Sequence, residues 1–277
     1  MDTDCTLLVS SYDKGEDLWP GFFTALTTQW PELDLPIVLN TESKSYSFPG
    51  LDIKTFSFYP GKVPPWGARL IKTLQHIETE YVLFLLDDYW LTAPVDDAFF
   101  RKCLDHMRNN PDVATISFKP TYGPNIQDGR FERFERRPQK PERRFHFRLN
   151  CQAAIWRRER FIEFIRPFED PWQWELYGSM RSTRYPDAFY ALIKGEKEVF
   201  PYDNGAIVHL GRWDLALAEP LWKYYGLTPD LSVRGTWDSV QQEPINQALP
   251  YRAVRRLRTI AGRLRMEIKG LRSWLFN

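Results

Sequence analysis

Two adjacent carboxylates, Asp87 and Asp88, end the apolar run Tyr81-Val82-Leu83-Phe84-Leu85-Leu86. A buried strand holds its last residues at a sheet rim. Acids placed side by side there lose hydration and repel each other, so they need a cation or hydrogen-bond donors. Mg²⁺ or Mn²⁺ meets that need, since both favour oxygen ligands and are often bound by one or two carboxylates plus substrate phosphates. Helix capping after the strand is the competing use. A third carboxylate, Glu175, follows Trp172-Gln173-Trp174. Nearby rings limit its hydration and raise its pKa, which suits a general base, while Trp172 and Trp174 suit a platform for a sugar. Glu175 could equally be an acid at a helix start, and Glu169 and Asp170 compete for the base role. Ser10, Tyr12 and Asp13 stand in the turn after a first apolar run, where the ring and carboxylate could meet a base and a ribose. Arg69 offers a fork of donors for a phosphate, or an ion pair with a core acid. His209 and Arg212 follow a late apolar run; taken alone, His209 is more often a satisfied core histidine.

The elements that position these residues alternate. Cys5 to Ser10, Pro36 to Asn40, Ile53 to Phe58, Glu80 to Asp88 and Val113 to Phe118 read as strands. Between them, Trp19 to Trp30, Trp66 to Thr79 and Asp96 to Asn109 carry apolar residues at helical spacing. This alternation predicts an α/β fold with an open, mostly parallel twisted sheet flanked by helices, in which ligands bind beyond the carboxyl ends of the strands. The second half is less regular. Pro124 to Arg148, with phenylalanines among arginines, reads as a hairpin. Strands are expected over 150–156, 189–193 and 206–210, and helices over 158–165, from Pro171, and over 213–225 with Gly226 as C-cap.

The 277 residues are 43% hydrophobic and 26% charged, a globular mix. The net charge of +1 argues against a nucleic-acid binder. The three cysteines are too scattered for a disulfide framework or a zinc set. The N-terminus lacks the basic start of a secretory signal, which leads to the expectation of a cytoplasmic protein. Residues 252–277 carry eight basic side chains against one acidic, with apolar residues every three or four positions. This pattern predicts an amphipathic helix, and with it a peripheral place at the inner face of the cell membrane through an anionic surface. Packing on the body or self-association are its other uses. The expected layout is a catalytic domain over 1–228, with a nucleotide-binding half to about 120 and an acceptor half over 121–228. A linker over 229–251 and the basic helix over 252–277 follow.

The order of Leu7 to Asp13, Trp66-Gly67-Ala68-Arg69-Leu70, Asp87-Asp88, Trp172 to Glu175 and Ala206 to Trp213 resembles bacterial polysaccharide glycosyltransferases of the GT-A fold. The likeness covers roughly residues 5 to 225. It implies a metal site of the DXD type at Asp88 and Asp87, although Tyr89 fills the place of the second aspartate. It also implies that Asp87 could face the ribose, and that His209 and Arg212 close on a diphosphate. The implied activity is transfer of a sugar, UDP-linked, to a glycan or lipid-linked glycan acceptor in surface polysaccharide synthesis, with Mn²⁺ or Mg²⁺ and with inversion through Glu175. A retaining transferase on the same fold and a non-catalytic glycan-binding module are the rivals. A nucleotidyltransferase would carry a Gly-rich phosphate loop where this chain has Ser10-Ser11-Tyr12-Asp13.

Overall fold

A computed structural model describes residues 4–56, 58–59, 63–120, 125–128, 131–134, 148–182, 184–193, 195–203, 207–237 and 268. The helix expected over 252–277, residue 268 apart, and the stretch 135–147 therefore lie outside the described residues. The strands β1 (Cys5–Ser10), β2 (Ile37–Asn40), β3 (Ile53–Thr55), β4 (Tyr81–Leu86), β5 (Val113–Ser117), β6 (Asn125–Asp128), β7 (Phe131–Phe134), β8 (Ala154–Arg157) and β9 (Ala188–Leu192) form one sheet. Its order is β3-β2-β1-β4-β8-β5-β9-β7-β6, and all of its strands except β8 and β7 point the same way. The fold is thus the α/β class expected. The stretch read as a hairpin contains one, β6 and β7.

Both faces of the sheet are covered, which is why its central strands read as continuous apolar runs. On one face Leu7, Val9, Leu83 and Leu85 pack with Trp19, Phe23 and Leu26 of α1 (Trp19–Gln29) and with Phe100, Cys103 and Met107 of α3 (Asp97–Asn109). On the other, Leu8, Val82 and Phe84 meet Leu70 and Leu74 of α2 (Trp66–His76) and Phe161 and Phe164 of α4 (Arg158–Phe164). Helix starts follow ordinary capping chemistry. Asp96 accepts from Phe99 N–H, and Pro20 occupies the first turn of α1.

Three further helical pieces follow in the chain. They are α5 (Pro171–Gln173), a π-helical stretch over Trp174–Gly178, and α6 (Ser179–Ser182). Beyond them β10 (Val208–His209) and β11 (Arg212–Asp214) form a tight hairpin, which turns at Leu210 and Gly211 with φ of 49° and 79°. Helix α7 (Leu215–Tyr225) ends at Gly226, whose φ of 64° fits the expected C-cap. The chain then returns to add β12 (Thr236–Trp237) beside β11, so residues 229–237, read as linker, take part in the fold.

The reversed strand β8 matters most for function. Because it runs against β4 and β5, its first residue, Ala154, pairs with Phe84 and Ser117. The preceding residues 149–153 are thereby brought to the rim where β1 and β4 end. Helix α1 sets the same rim from above. A Cβ at Gly21 would stand 1.9 Å from the Trp90 ring, so only glycine lets the helix lie against the turn that follows β4. Gly21→Ala is expected to lower stability by about 1–3 kcal/mol through overpacking, measured by urea denaturation; a change within error would mean that Trp90 has free room to move.

Candidate active site

Parallel pairing of β1 with β4 aligns Ser10 with Leu86, so Ser11 and Asp87 leave the sheet side by side. The Ser11 hydroxyl donates to Asp87 Oδ2 at 2.5 Å and accepts from Trp19 Nε1 at 2.7 Å. Gly15 permits this closeness, because a Cβ there would lie 2.6 Å from the same carboxylate oxygen. Trp90 Nε1 holds the Asp87 carbonyl at 3.2 Å. Asp87 is buried and its carboxylate faces Ser11, whereas Asp88 is half-buried with one oxygen, Oδ1, enclosed and without a hydrogen-bond partner. Burial raises both carboxyl pKa values, and the charge of Asp88 lifts Asp87 further. Arg234 works in the opposite direction on both.

The turn after β1 is built by the residues predicted to bind there. Ser10 Oγ accepts from Trp66 Nε1 at 3.1 Å. Tyr12 is 37% exposed and neighbours Arg234. Asp13 does not offer a free carboxylate. Its oxygens accept from the main-chain N–H groups of Glu42, Ser43 and Lys44 and from the Ser43 hydroxyl. Burial would raise its carboxyl, but these donors prevail and bring it down to about 2. Arg69 is buried and engaged internally too, reaching the Asn40 carbonyl and Glu42 at 3.2 Å each, so the ion pair with an acid is the arrangement present. Both residues shape the loop after β2.

Across the rim, the three candidate bases separate by what holds them. Glu169 is fully buried and paired through both oxygens with Arg181 at 2.6 and 2.7 Å. Asp170 caps α5, accepting from Gln173 N–H at 2.7 Å. Glu175 is half-buried in the π-helical turn, a distortion often found at functional sites. Its Oε1 accepts the Cys151 N–H at 2.8 Å. Burial raises the Glu175 pKa, while the Cys151 N–H and thiol oppose the shift. The charges of Glu175 and Asp88 act on the same two groups. Burial lifts the Tyr89 hydroxyl and the Cys151 thiol well above their usual values, and the charges of Asp88 and Glu175 both add to the effect.

The two tryptophans divide. Trp172 is 75% exposed and available to a ligand. Trp174 corrects the expectation: it is 0% exposed and packed against Trp66, Trp156 and Phe161, so it is a core residue and presents no face to an acceptor. Its neighbour at i+1 points the other way along the helix. His209 and Arg212 are exposed on the β10–β11 hairpin, with the His209 ring 4.2 Å from that of Trp237. That hairpin is tied to the acid pair, since Ile207 N–H donates to the Asp88 carbonyl at 3.3 Å.

Two participants were not legible beforehand. Arg234 lies in the stretch read as linker, yet it pairs with Asp17 and sits over the Trp213 ring at 5.3 Å. Its only sequence signal is a lone arginine before a glycine. The other is the 149–153 segment. Gln152 donates to the Tyr89 hydroxyl at 2.9 Å, and Tyr89 stacks on Tyr202 with ring centroids 4.5 Å apart. The place of a second aspartate is therefore filled by a buried, stacked ring. Among the described residues no group of three or more His, Cys, Asp or Glu could hold a metal ion. A hard cation that takes few protein ligands and completes its shell with phosphate oxygens still fits the unpartnered oxygen of Asp88. Asp87, engaged by Ser11, stands behind it.

No protein-family model matches the chain, and no curated protein does. Among solved structures it is similar to Staphylococcus aureus TarS 1–349, with 14% identity and a TM-score of 0.49 over 73% of this chain and 61% of that one. The chain thus spans less than two thirds of that structure. It is also similar to the galactosyltransferase LgtC in complex with donor and acceptor sugar analogues, at 9% identity and a TM-score of 0.44 over 81% and 97%. A third is 2-C-methyl-D-erythritol 4-phosphate cytidylyltransferase from Thermus thermophilus, at 15% identity and 0.44 over 80% and 100%.

The depressed Asp13 carboxyl has a sign that can be tested. Its contribution to stability is present above the ordinary carboxylate value of 3.8 and is lost as pH falls towards about 2. Asp13→Asn is expected to flatten the acid limb of stability in that window, measured by urea denaturation at stepped pH; parallel limbs would mean the loop hydrogen bonds do not discriminate the charged form.

Proposed function

We propose that this chain is a GT-A-type glycosyltransferase that moves a sugar from a nucleotide-sugar donor, UDP-linked, to a glycan or lipid-linked glycan acceptor with inversion. One observation carries the reading. Asp88, with an unpartnered carboxylate oxygen, stands at the end of β4, and one segment bonds to both sides of that rim: Cys151 N–H donates to Glu175 Oε1 at 2.8 Å, and Gln152 donates to the hydroxyl of Tyr89, next to Asp88, at 2.9 Å.

In this reading Ser10, Tyr12 and the loop shaped by Asp13 and Arg69 form the nucleotide side. The chemistry that a bound Mn²⁺ or Mg²⁺ would supply, with Asp88 as its protein ligand, is Lewis-acid neutralisation of the diphosphate. Of the two residues exposed on the tethered hairpin, Arg212 would add positive charge to that leaving group and His209 would hydrogen-bond to it. Trp172 offers its face to the acceptor. An acceptor oxygen forms the new bond to the anomeric carbon as the C–O bond to the diphosphate breaks, the bonding pair leaving with the nucleoside diphosphate. Glu175 takes the acceptor hydroxyl proton. A carboxylate whose pKa is raised by burial is a stronger base for that step than an exposed one.

No helix among the described residues is long and apolar enough to cross a membrane. Docking at the inner face of the cell membrane through 252–277, and a role in surface polysaccharide synthesis, belong to the proposal and rest on the sequence pattern.

Glu175→Gln is expected to lower sugar transfer by about 10²–10⁴-fold while the thermal shift given by UDP-sugar persists. Near-normal turnover would move the base elsewhere. Asp88→Asn is expected to remove the extra thermal stabilisation that Mn²⁺ adds to UDP binding, and an unchanged shift would free Asp88 of the metal role. NMR of the product anomer decides stereochemistry: retention of the donor configuration overturns the base assignment, and absence of any nucleotide affinity favours a glycan-binding module.

A further inference from the structure

The residues that join the two sides of the site come from one short segment, 149–153, which the reversed strand β8 brings to the rim. On the base side, Leu149 N–H donates to the Ser179 hydroxyl at 3.0 Å, and that hydroxyl returns a bond to the Leu149 carbonyl at 3.1 Å. These bonds fasten the segment to the helix just after the π-helical turn. On the acid side, Gln152 Nε2 donates to the Tyr89 hydroxyl at 2.9 Å and Ala153 N–H donates to the Tyr202 hydroxyl at 2.9 Å. Between these anchors stands Cys151, 4% exposed: its N–H donates to Glu175 Oε1 at 2.8 Å, which brings its thiol alongside the same carboxylate.

We propose that Cys151 is the positioning residue of Glu175, its main-chain N–H and thiol together holding the carboxylate in one orientation at a set distance from the Asp88 side of the site. This rests on the transferase reading and adds to it a residue that touches neither donor nor acceptor. A thiol suits the place. Burial keeps it protonated, so it donates without competing for the acceptor proton. Glu175 accepts from Cys151 of the strap, and the charges of Glu175, Asp88 and Asp170 all raise the Cys151 thiol. The Cys151 N–H donates to the Glu175 carboxylate, and in this proposal the thiol is its second donor.

The test uses the full chain and the variants Cys151→Ala, Cys151→Ser and Glu175→Gln. The first readout needs no turnover. Subtracting the Cys151→Ser infrared spectrum from that of the parent isolates the Cys151 S–H stretch from those of Cys5 and Cys103. The band is expected to lie below that of a free thiol and to rise in Glu175→Gln, where a neutral amide replaces the anion; a band insensitive to Glu175→Gln overturns the proposal. The second readout is UDP release from UDP-N-acetylglucosamine. Loss of one donor to a charged group is expected to lower kcat about tenfold in Cys151→Ala with the donor KM unchanged. The acid limb of the kcat profile is expected to move to higher pH, because a carboxylate deprived of a donor is protonated more readily. Cys151→Ser is expected to restore both. Parent-like kcat and an unmoved limb in Cys151→Ala, beside an inactive Glu175→Gln, would sink this inference alone. Full activity of Glu175→Gln would sink the base reading, and this one with it.

Discussion

The site depends on the hydrogen bond between Ser11 and Asp87. A carboxylate moved from water into a protein interior loses several kcal/mol of solvation unless donors or a counter-charge replace it. The sheet supplies a donor by register, since Ser10 and Leu86 pair and their successors emerge together. Trp19 orients the hydroxyl, and Gly15 leaves room for the approach. With Asp87 fixed in this way, the turn that follows has a defined course, and Asp88 is the member of the pair with an oxygen left over. Adjacent residues of the same type thus differ in what satisfies them because their surroundings differ.

The same logic orders the far side of the rim. Three acidic residues occur within seven positions, and only one is unencumbered by a structural partner of its own segment. Glu169 neutralises Arg181, and Asp170 caps a helix. Both give the chain its path into the π-helical turn, whose wide geometry allows Trp174 to enter the core while Glu175 remains at the rim. Gly67 supports that path from below: its N–H donates to the Glu169 carbonyl at 2.9 Å, and a Cβ there would meet the Arg166 carbonyl oxygen at 2.1 Å. The helix carrying Arg69 and the segment carrying Glu175 are therefore in direct backbone contact.

Much of this architecture was legible in the sequence wherever it depends on periodicity. The runs 5–10 and 81–86, apolar at nearly every position, fit strands covered on both faces, and Gly226 announced the end of α7. What escaped has a common cause. The reversed β8, the strap before it and the return of the chain through Arg234 are all set by long-range pairing, and local residue choice does not encode which partner a strand will find. Trp174 was misassigned for the related reason that a tryptophan beside a candidate base looks the same in sequence whether its ring is exposed or buried; a π-helical turn rotates it inward, and no local pattern marks such a turn. Tyr89 shows the reverse. The partners that hold it, the stacked Tyr202 and Gln152, lie far along the chain.

The charge balance of the rim follows from these placements. Two raised carboxyls require compensation that the strands cannot give, and among the described residues the fixed cation that bears on both is Arg234 from the returning segment. Asp17 holds its guanidinium through Nε at 2.7 Å, and burial over the Trp213 ring limits its own solvation. The arginine is therefore a standing counter-charge, tethered by a neighbour rather than paired with the acids. That arrangement leaves Asp88 partly unsatisfied, and an incompletely neutralised oxygen at a strand end is what a dissociable cation with an anionic ligand can complete. Had Arg234 paired with Asp88 directly, that oxygen would have had a partner within the fold.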